Sequence, residues 1–100
     1  MKVNCSSIGQ LVSSHSYTQA EMVAALRPVL GKSASVTVAD AATGADLVAA
    51  AVAAFAIAPS VVITRTALVL NGAEVDASKT LAALGVKDGS SAQIRFVITI

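Results

Sequence analysis

The sequence predicts an α+β domain, and three observations support that class. A capped helix follows a strand of alternating residues, an Asn-Gly dipeptide then separates two apolar runs, and a long alternating strand closes the chain. Of the 100 residues, 55% are hydrophobic and 13% are charged, so the chain can bury a core and does not have the composition of a disordered protein. We expect one domain over residues 1–100.

The first third of the chain predicts a strand and an inserted helix. Residues 2–8 are expected to form the first strand, in the centre of the sheet, with Val3 and Cys5 on its buried face. Thr18 and Glu21 have the spacing of a capping box, which predicts a helix between strands one and two, near residues 18–27. The apolar residues that should pack this helix on the domain follow at helical spacing: Met22, Val23 and Leu26.

An alternative arrangement of the same segment stays open. Lys2–Ser7 and Leu11–Ser16 could form a hairpin of their own, which would leave Ala34–Asp40 as an additional strand. In the preferred arrangement, Pro28 should end or kink the inserted helix, because proline cannot donate a backbone hydrogen bond. Both arrangements give an α+β fold.

The middle of the chain predicts a strand followed by the main helix. Ser35–Asp40 alternates in period two, which is typical of a half-buried strand. Thr43 can cap the free amides of a helix start, and Asp46 lies three residues on, where a negative charge interacts favourably with the helix dipole. We expect this helix to run over residues 44–57 and to stop before Pro59.

The last third predicts a hairpin, a short helical segment and a closing strand. Arg65–Leu70 is followed by Asn71-Gly72, a pair that favours a tight hairpin turn because both residues accept positive φ. Ser78–Leu84 has the Ser or Thr caps of one or two helical turns, and a glycine follows it. Ala92–Ile100 alternates and predicts the final strand.

One uncharged stretch, Leu47–Thr64, approaches the length of a membrane-spanning helix. Pro59 interrupts it, however, and Asp46 and Arg65 flank it without the Trp and Tyr of an interfacial belt. A buried core helix is therefore favoured, with a membrane segment as the minor alternative. The N-terminal residues lack the apolar run of a signal peptide, so we expect an intracellular, cytoplasmic protein.

The composition argues against several classes of function. Seven Lys and Arg against six Asp and Glu give a net charge of +1, which provides no field for binding nucleic acid or an anionic membrane. Cys5 and His15 are the only residues of their kinds, so neither an intrachain disulfide nor a Cys/His zinc set can form. We expect Cys5 in the core and His15 in a solvated loop. No cofactor, metal or catalysis is predicted.

The carboxylates and glycines give no stronger signal of chemistry. Each carboxylate is predicted at a cap, a turn or a strand end, and no pair has the spacing of a catalytic dyad or a calcium loop. Gly31-Lys32-Ser33 is similar to the end of a phosphate-binding loop, but the first glycine of that motif is missing and the segment enters a strand. A binder of neutral protein surfaces is therefore favoured.

From Lys32 onward, the order of elements and two local motifs form a distinctive pattern. Strand, helix, strand and Asn-Gly hairpin are followed by Thr80-Leu81-Ala-Ala-Leu84-Gly85-Val86, an Asp88-Gly89-Ser90 turn and the closing strand. This pattern resembles the ubiquitin-like β-grasp family over about residues 32–100. The resemblance implies a mixed four- to five-stranded sheet packed on one main helix. The inserted N-terminal helix departs from the family, in which a tight turn joins strands one and two.

The resemblance implies a non-catalytic protein-protein interaction domain. Iron-sulfur carriers of this group need several cysteines, and Cys5 is alone. We expect an adaptor or scaffold module that is the N-terminal domain of a longer protein. One alternative is a ubiquitin-type modifier or sulfur carrier whose C-terminal Gly-Gly tail would follow Ile100. The other is a scaffold module that self-associates through sheet edges.

Period-two geometry predicts where a partner would bind. Leu68 and Leu70 should face the main helix, so the alternate residues of the third and final strands should lie on the open sheet face. These residues are Val69, Gln93, Arg95 and Val97. By resemblance, the first three fall on ubiquitin's shared recognition patch, where the family has Ile, His and Val. The more polar patch here favours a dedicated, partly acidic protein partner, with a solvated sheet face as the alternative.

Overall fold

The structure, a computed structural model, describes residues 1–12, 18–57 and 63–99, and the predicted α+β class is confirmed there. Two helices, α1 (Gln19–Leu26) and α2 (Gly44–Phe55), accompany a 3₁₀ turn at Arg27–Val29. Five strands form one sheet: β1 (Lys2–Val12), β2 (Ser33–Thr37), β3 (Arg65–Leu70), β4 (Ala73–Glu74) and β5 (Ser91–Thr99). The expectations for His15, for a helix stop at Pro59 and for Ile100 fall outside these residues.

The sheet is mixed, with the strand order β2-β1-β5-β3-β4. β1 runs antiparallel to β2 and parallel to β5, while β3 runs antiparallel to both β5 and β4. The closing strand β5 is the third of the five strands and therefore occupies the middle of the sheet. The expectation of a central first strand is corrected: β1 is an interior strand beside the centre.

β1 is longer than the sequence predicted, and its length excludes the hairpin alternative. Leu11 and Val12 continue the strand in parallel register with Ile98 and Thr99 of β5, so they do not start a second strand that folds back. β2 begins and ends earlier than the predicted Ser35–Asp40. Its limits follow from pairing with β1, which runs from Lys2 opposite Thr37 to Ser6 opposite Ser33.

The start of α2 has the predicted capping box. The Thr43 Oγ1 accepts the Asp46 N–H at 3.3 Å, and the Asp46 Oδ2 accepts the Thr43 N–H at 3.0 Å. The helix ends at Phe55 rather than near residue 57, because Ala56 adopts a left-handed conformation with φ 52°. Among the described residues, no helix is long and apolar enough to cross a membrane.

The core lies between α2 and one face of the sheet. α2 contributes Leu47, Ala51 and Phe55, and the sheet contributes residues such as Leu68 and Phe96. The Phe55 and Phe96 rings meet edge to face with their centroids 6.1 Å apart. Val29 of the 3₁₀ turn belongs to the same core, so both helical segments cover one face of the sheet. The opposite face has no described helix on it.

α1 differs from the inserted helix that the sequence predicted. It has only eight residues and none of them is buried; Met22 is 38% exposed and Val23 is 45% exposed. A helix packed on the domain through Met22, Val23 and Leu26 is therefore not seen. Only Leu26 packs against the core, where its Cδ2 lies 3.1 Å from the position a Cβ on Gly9 would occupy. The 3₁₀ turn that contains Pro28 follows directly and provides the buried contact through Val29.

The hairpin and the segment after it agree closely with their sequence signals. Asn71 and Gly72 both have positive φ, at 51° and 81°, which confirms the predicted tight turn between β3 and β4. In the predicted short helical segment, the Thr80 carbonyl accepts the Leu84 N–H at 3.1 Å, and Gly85 has φ 81°. This is a single helical turn of hydrogen bonding, which is too short to form a further helix.

Candidate functional site

The four predicted partner-binding residues lie on the same face of the sheet. Their neighbours in sequence, Leu68, Ile94 and Phe96, are buried in the core below α2. Because side chains alternate along a strand, Val69, Gln93, Arg95 and Val97 point to the face opposite α2. Strand pairing brings them together, since Val69 stands opposite Gln93 across β3 and β5.

Three cross-strand rows define this surface, which we call the open face. Ser6, Gln93 and Val69 form the first row; Ile8, Arg95 and Ala67 form the second; Gln10, Val97 and Arg65 form the third. Sequence analysis missed the contributions of β1, above all Ile8. The signal needed to find them was the parallel register of β1 with β5, which no local pattern in the sequence provides.

The accessible groups on the open face are polar. Val69 is only 2% exposed and Val97 only 7% exposed, although both lie on this face. Gln93 is exposed and Arg95 is partly exposed. A partner that approaches the face would therefore meet the amide of Gln93 and the guanidinium of Arg95 before it met either valine.

An ion pair covers part of the surface beside these residues. The Arg65 Nη1 lies 2.6 Å from the Glu74 Oε1, and Glu74 stands opposite Val69 in the β3–β4 pairing. The Arg65 side chain must therefore extend along β3, past Ala67, which helps to explain why Ala67 and Val69 are buried. The hydrogen bond and positive charge of Arg65 lower the pKa of Glu74, and the charge of Arg95 contributes less.

Arg95 differs from Arg65 in having no paired carboxylate. In the part of the chain that the structure describes, no Asp or Glu oxygen lies within ion-pair distance of Arg95. Arg95 stands in the middle row of the open face, with Ile8 and Ala67 as its partners on the neighbouring strands. The face therefore offers a cation with hydrogen-bond donors that remain available to a partner.

The thiol and the carboxylates described here do not gather into a reactive or metal-binding site. Cys5 lies on the core face of β1 and is 2% exposed, and its burial raises the pKa of its thiol. Within residues 1–12, 18–57 and 63–99, no three His, Cys, Asp or Glu residues come together as metal ligands. Asp76 and Asp88 bind backbone amides instead: Asp76 accepts from the Ser78 N–H at 3.0 Å, and Asp88 from the Lys2 N–H at 2.6 Å.

In comparison with known proteins, the sequence matches no protein-family model and no curated protein. All four residues that the sequence predicts for partner binding lie on the open face, so this face is the candidate site.

Proposed function

We propose that the chain is a ubiquitin-like β-grasp domain that binds a protein partner without catalysis. Support for the β-grasp assignment comes from the mixed five-stranded sheet, the single main helix α2 across one face, and the Asn71-Gly72 hairpin ahead of the closing strand. These are features that the resemblance implies. An adaptor or scaffold role is part of the same proposal, because it is the role that the resemblance implies.

The observation behind the binding proposal is Arg95, which stands in the middle row of the open face and has no ion-pair partner among the described residues. Arginine is enriched at protein interfaces because its planar guanidinium can donate several hydrogen bonds and stack on apolar groups. Arg95 has Ile8 and Ala67 beside it across the strands, and Gln93 and Val97 before and after it on the same face. Because the neighbours of Arg95 are apolar or uncharged, a partner that binds there would remove part of the water around its guanidinium.

The same geometry indicates the chemistry of that partner. Because Val69 and Val97 are buried, an apolar side chain of a partner would find little apolar surface on these strands. A carboxylate can instead form a charge-assisted, two-point hydrogen bond with the Arg95 guanidinium, while Gln93 donates or accepts beside it. We therefore propose a dedicated partner with an acidic residue at the centre of its contact surface.

The test compares two charge reversals in the chain. Arg95→Glu changes the centre of the open face, whereas Lys87→Glu makes the same charge change in the exposed turn before β5. Partners are recovered from lysate with the wild-type chain, identified, and their affinities measured for all three proteins. Arg95→Glu should weaken binding by at least about tenfold, since a buried charge pair would be replaced by two like charges.

Circular dichroism and urea unfolding should show that both variants retain the fold. Lys87→Glu should bind the same partner with affinity close to that of the wild-type chain. If Arg95→Glu and Lys87→Glu bind equally well, the open face is not the contact surface. If both lose binding equally, net charge rather than Arg95 governs the interaction, and the proposed site is wrong.

A further inference from the structure

β2 forms an outer edge of the sheet and directs three residues away from it. The Met1 amine donates to the Val38 carbonyl and the Val38 N–H donates to the Met1 carbonyl, both at 2.9 Å. Bonded and non-bonded pairs alternate along an antiparallel ladder, so every second residue of β2 turns its N–H and C=O away from β1. These residues are Ser33, Ser35 and Thr37, and all three are exposed. Among the described residues, none forms a hydrogen bond with their outward groups.

This edge lacks the usual protection against strand pairing. Natural proteins commonly protect an edge with proline, with charged side chains, with a bulge or with a covering segment. Ser33–Thr37 contains neither a proline nor a charge, and it pairs with β1 over five consecutive residues without a bulge. The segments on either side of it, residues 30–32 and 38–40, are described and leave the outward residues exposed. β2 can therefore accept a further strand along its whole length.

The geometry of β2 suits a second copy of itself. In an antiparallel pair with a two-fold axis at Ser35, Ser33 of each copy stands opposite Thr37 of the other, and the two Ser35 residues stand opposite each other. Every outward residue then faces another outward residue, so each facing pair can exchange two backbone hydrogen bonds. The two strands have the same length, and no outward group of either is left without a partner.

The side chains of β2 also suit this pairing. A two-fold axis brings a residue at the centre of the strand next to its own copy, so a charge there would meet a like charge. The central residue is instead the small, neutral Ser35, and its neighbours on the same face, Ser33 and Thr37, are hydroxyl residues that can hydrogen-bond across the strands. On the α2 side, Ala34 of one copy stands opposite Val36 of the other, which adds an apolar contact.

Opposite charges lie at the two ends of the strand. Lys32 directly precedes β2, and Asp40 is the third residue after it. The antiparallel pair brings Lys32 of each copy towards Asp40 of the other. Among the described residues, Lys32 has no ion-pair partner, and Asp40, although 3.3 Å from the Met1 amine, has a side chain that is 90% exposed and can accept a second cation. This complementarity favours a second copy over a strand of unrelated sequence.

We propose that the chain forms a two-fold dimer through β2, in which two five-stranded sheets join into one continuous sheet. A single pair of short strands buries less than the roughly 1,200 Å² at the lower end of stable interfaces. The dimer is therefore weak, with a Kd of about 0.1 mM. Proteins at such affinities are dimeric only where they are locally concentrated, so association through β2 responds to concentration.

The dimer places two open faces on the same side of the joined sheet, because residues that stand opposite each other in an antiparallel pair point to the same face. Arg95 lies on β5, two strands away from β2, so the contact leaves it accessible. This consequence rests on the proposed function: if each open face binds an acidic contact, the dimer binds most tightly a partner that presents two such contacts.

The first test measures association of the full chain against its concentration. Sedimentation equilibrium between about 10 µM and 1 mM should show a reversible equilibrium between monomer and dimer. In the isotope-labelled chain, amide hydrogen exchange should slow with concentration at Ser33, Ser35 and Thr37, because their N–H groups become bonded in the dimer. Exchange at Ala34 and Val36 should change much less, because their N–H groups already face β1.

Variants at the central residue test the two-fold axis. Ser35→Pro removes the outward N–H, and an edge strand tolerates proline where the N–H faces outward, so this chain should remain folded and become monomeric. Ser35→Lys and Ser35→Glu each place like charges opposite each other, so each alone should weaken dimerisation by at least about tenfold. A mixture of the Ser35→Lys and Ser35→Glu chains should form a dimer at least as tight as that of the wild-type chain, because opposite charges then face each other.

Ser35→Thr is the matched control. It keeps the outward N–H and the hydroxyl, so it should dimerise like the wild-type chain. Circular dichroism should show that every variant retains the fold. The two charge variants leave the backbone of β2 unchanged, so they decide the outcome even if Ser35→Pro does not fold.

Several results would overturn the proposal. A wild-type chain that remains monomeric up to about 1 mM contradicts it. Equal dimerisation of Ser35→Lys, Ser35→Glu and the wild-type chain would place the contact elsewhere, and failure of the two charge variants to associate when mixed would show that the strands do not meet at Ser35. Arg95→Glu should dimerise normally, and Ser35→Pro should still bind partners of the open face, so the two proposals can fail separately.

Discussion

Replacing Gly44 with alanine should destabilise the fold, although replacing glycine with alanine in a helix usually stabilises it. Gly44 is the first residue of α2 and its backbone N–H donates to the Lys79 carbonyl at 2.9 Å. A Cβ at this position would lie 2.9 Å from the Ala77 Cα and 3.0 Å from the Leu68 Cδ2. The first of these contacts is with backbone, so it cannot be relieved by turning a side chain.

The expected magnitude follows from two opposing effects. Overpacking against a rigid neighbour costs about 1–3 kcal/mol, and here the start of α2 must move away from the 77–79 segment that binds it. Alanine has a higher helix propensity than glycine by up to about 1 kcal/mol in a helix interior, and by less at the first residue. We expect a net loss of about 1–2 kcal/mol in the free energy of unfolding.

Urea unfolding of Gly44→Ala, with Gly9→Ala as the matched control, measures this effect. A Cβ on Gly9 would lie 3.1 Å from the ends of the Leu26 and Leu30 side chains, which can move, and 3.5 Å from the Val29 Cγ2, which is an ordinary van der Waals contact. With a slope of about 1 kcal/mol per molar urea for a chain of this size, Gly44→Ala should lower the unfolding midpoint by about 1–2 M. Gly9→Ala should change the free energy of unfolding by less than about 0.5 kcal/mol, because alanine also reduces the entropy of the unfolded chain.

Equal or greater stability of Gly44→Ala would refute this reasoning. It would mean that the 77–79 segment can move away from the start of α2 to admit the alanine Cβ. A large loss in both glycine variants would instead indicate that the Gly9 site is as rigid as the Gly44 site.

The remaining predictions concern two titratable side chains. Cys5 should react slowly with a thiol reagent in the native state and rapidly in denaturant, because it is 2% exposed and burial raises the pKa of its thiol. Rapid labelling without denaturant would show that Cys5 does not lie on the core face of β1. Glu74 should titrate below its ordinary value of 4.5, because Arg65 donates a hydrogen bond to it, and Arg65→Gln should move its pKa upward in an NMR titration. Since the folded pKa is lowered, the small contribution of this exposed pair to stability is present above the ordinary pKa and is lost as the pH falls through the folded value. An unchanged Glu74 titration in Arg65→Gln would show that another group lowers its pKa.

Local signals in the sequence predicted the elements that local chemistry controls. The Thr43 cap, the limits of β3 at Arg65 and Leu70, and the Asn71-Gly72 turn depend on residues within a few positions of each other. Each has a distinct physical cause, either a side chain that bonds a nearby amide or a residue that accepts positive φ. Such signals can be interpreted from neighbouring residues alone, without knowledge of the rest of the fold.

The features that sequence analysis missed depend on distant partners. β1 continues to Val12 because β5 pairs with it that far, and β2 begins at Ser33 because its pairing with β1 starts there, opposite Ser6. Period two correctly placed Val69 and Val97 on the open face, yet it could not indicate that long side chains such as Arg65 cover part of that face.

The position of β5 between β1 and β3 has a consequence for how the chain folds during synthesis. β1 is made first, but its parallel partner β5 is made last, so contacts of very large sequence separation hold the centre of the sheet. Until β5 leaves the ribosome, β1 can pair only with β2, and the β1 edge that β5 will cover remains exposed. Topologies of this kind fold slowly for their size and are prone to aggregate while incomplete. The uncovered β1 edge is therefore the part of the incomplete domain most exposed to non-native strand pairing until β5 is available.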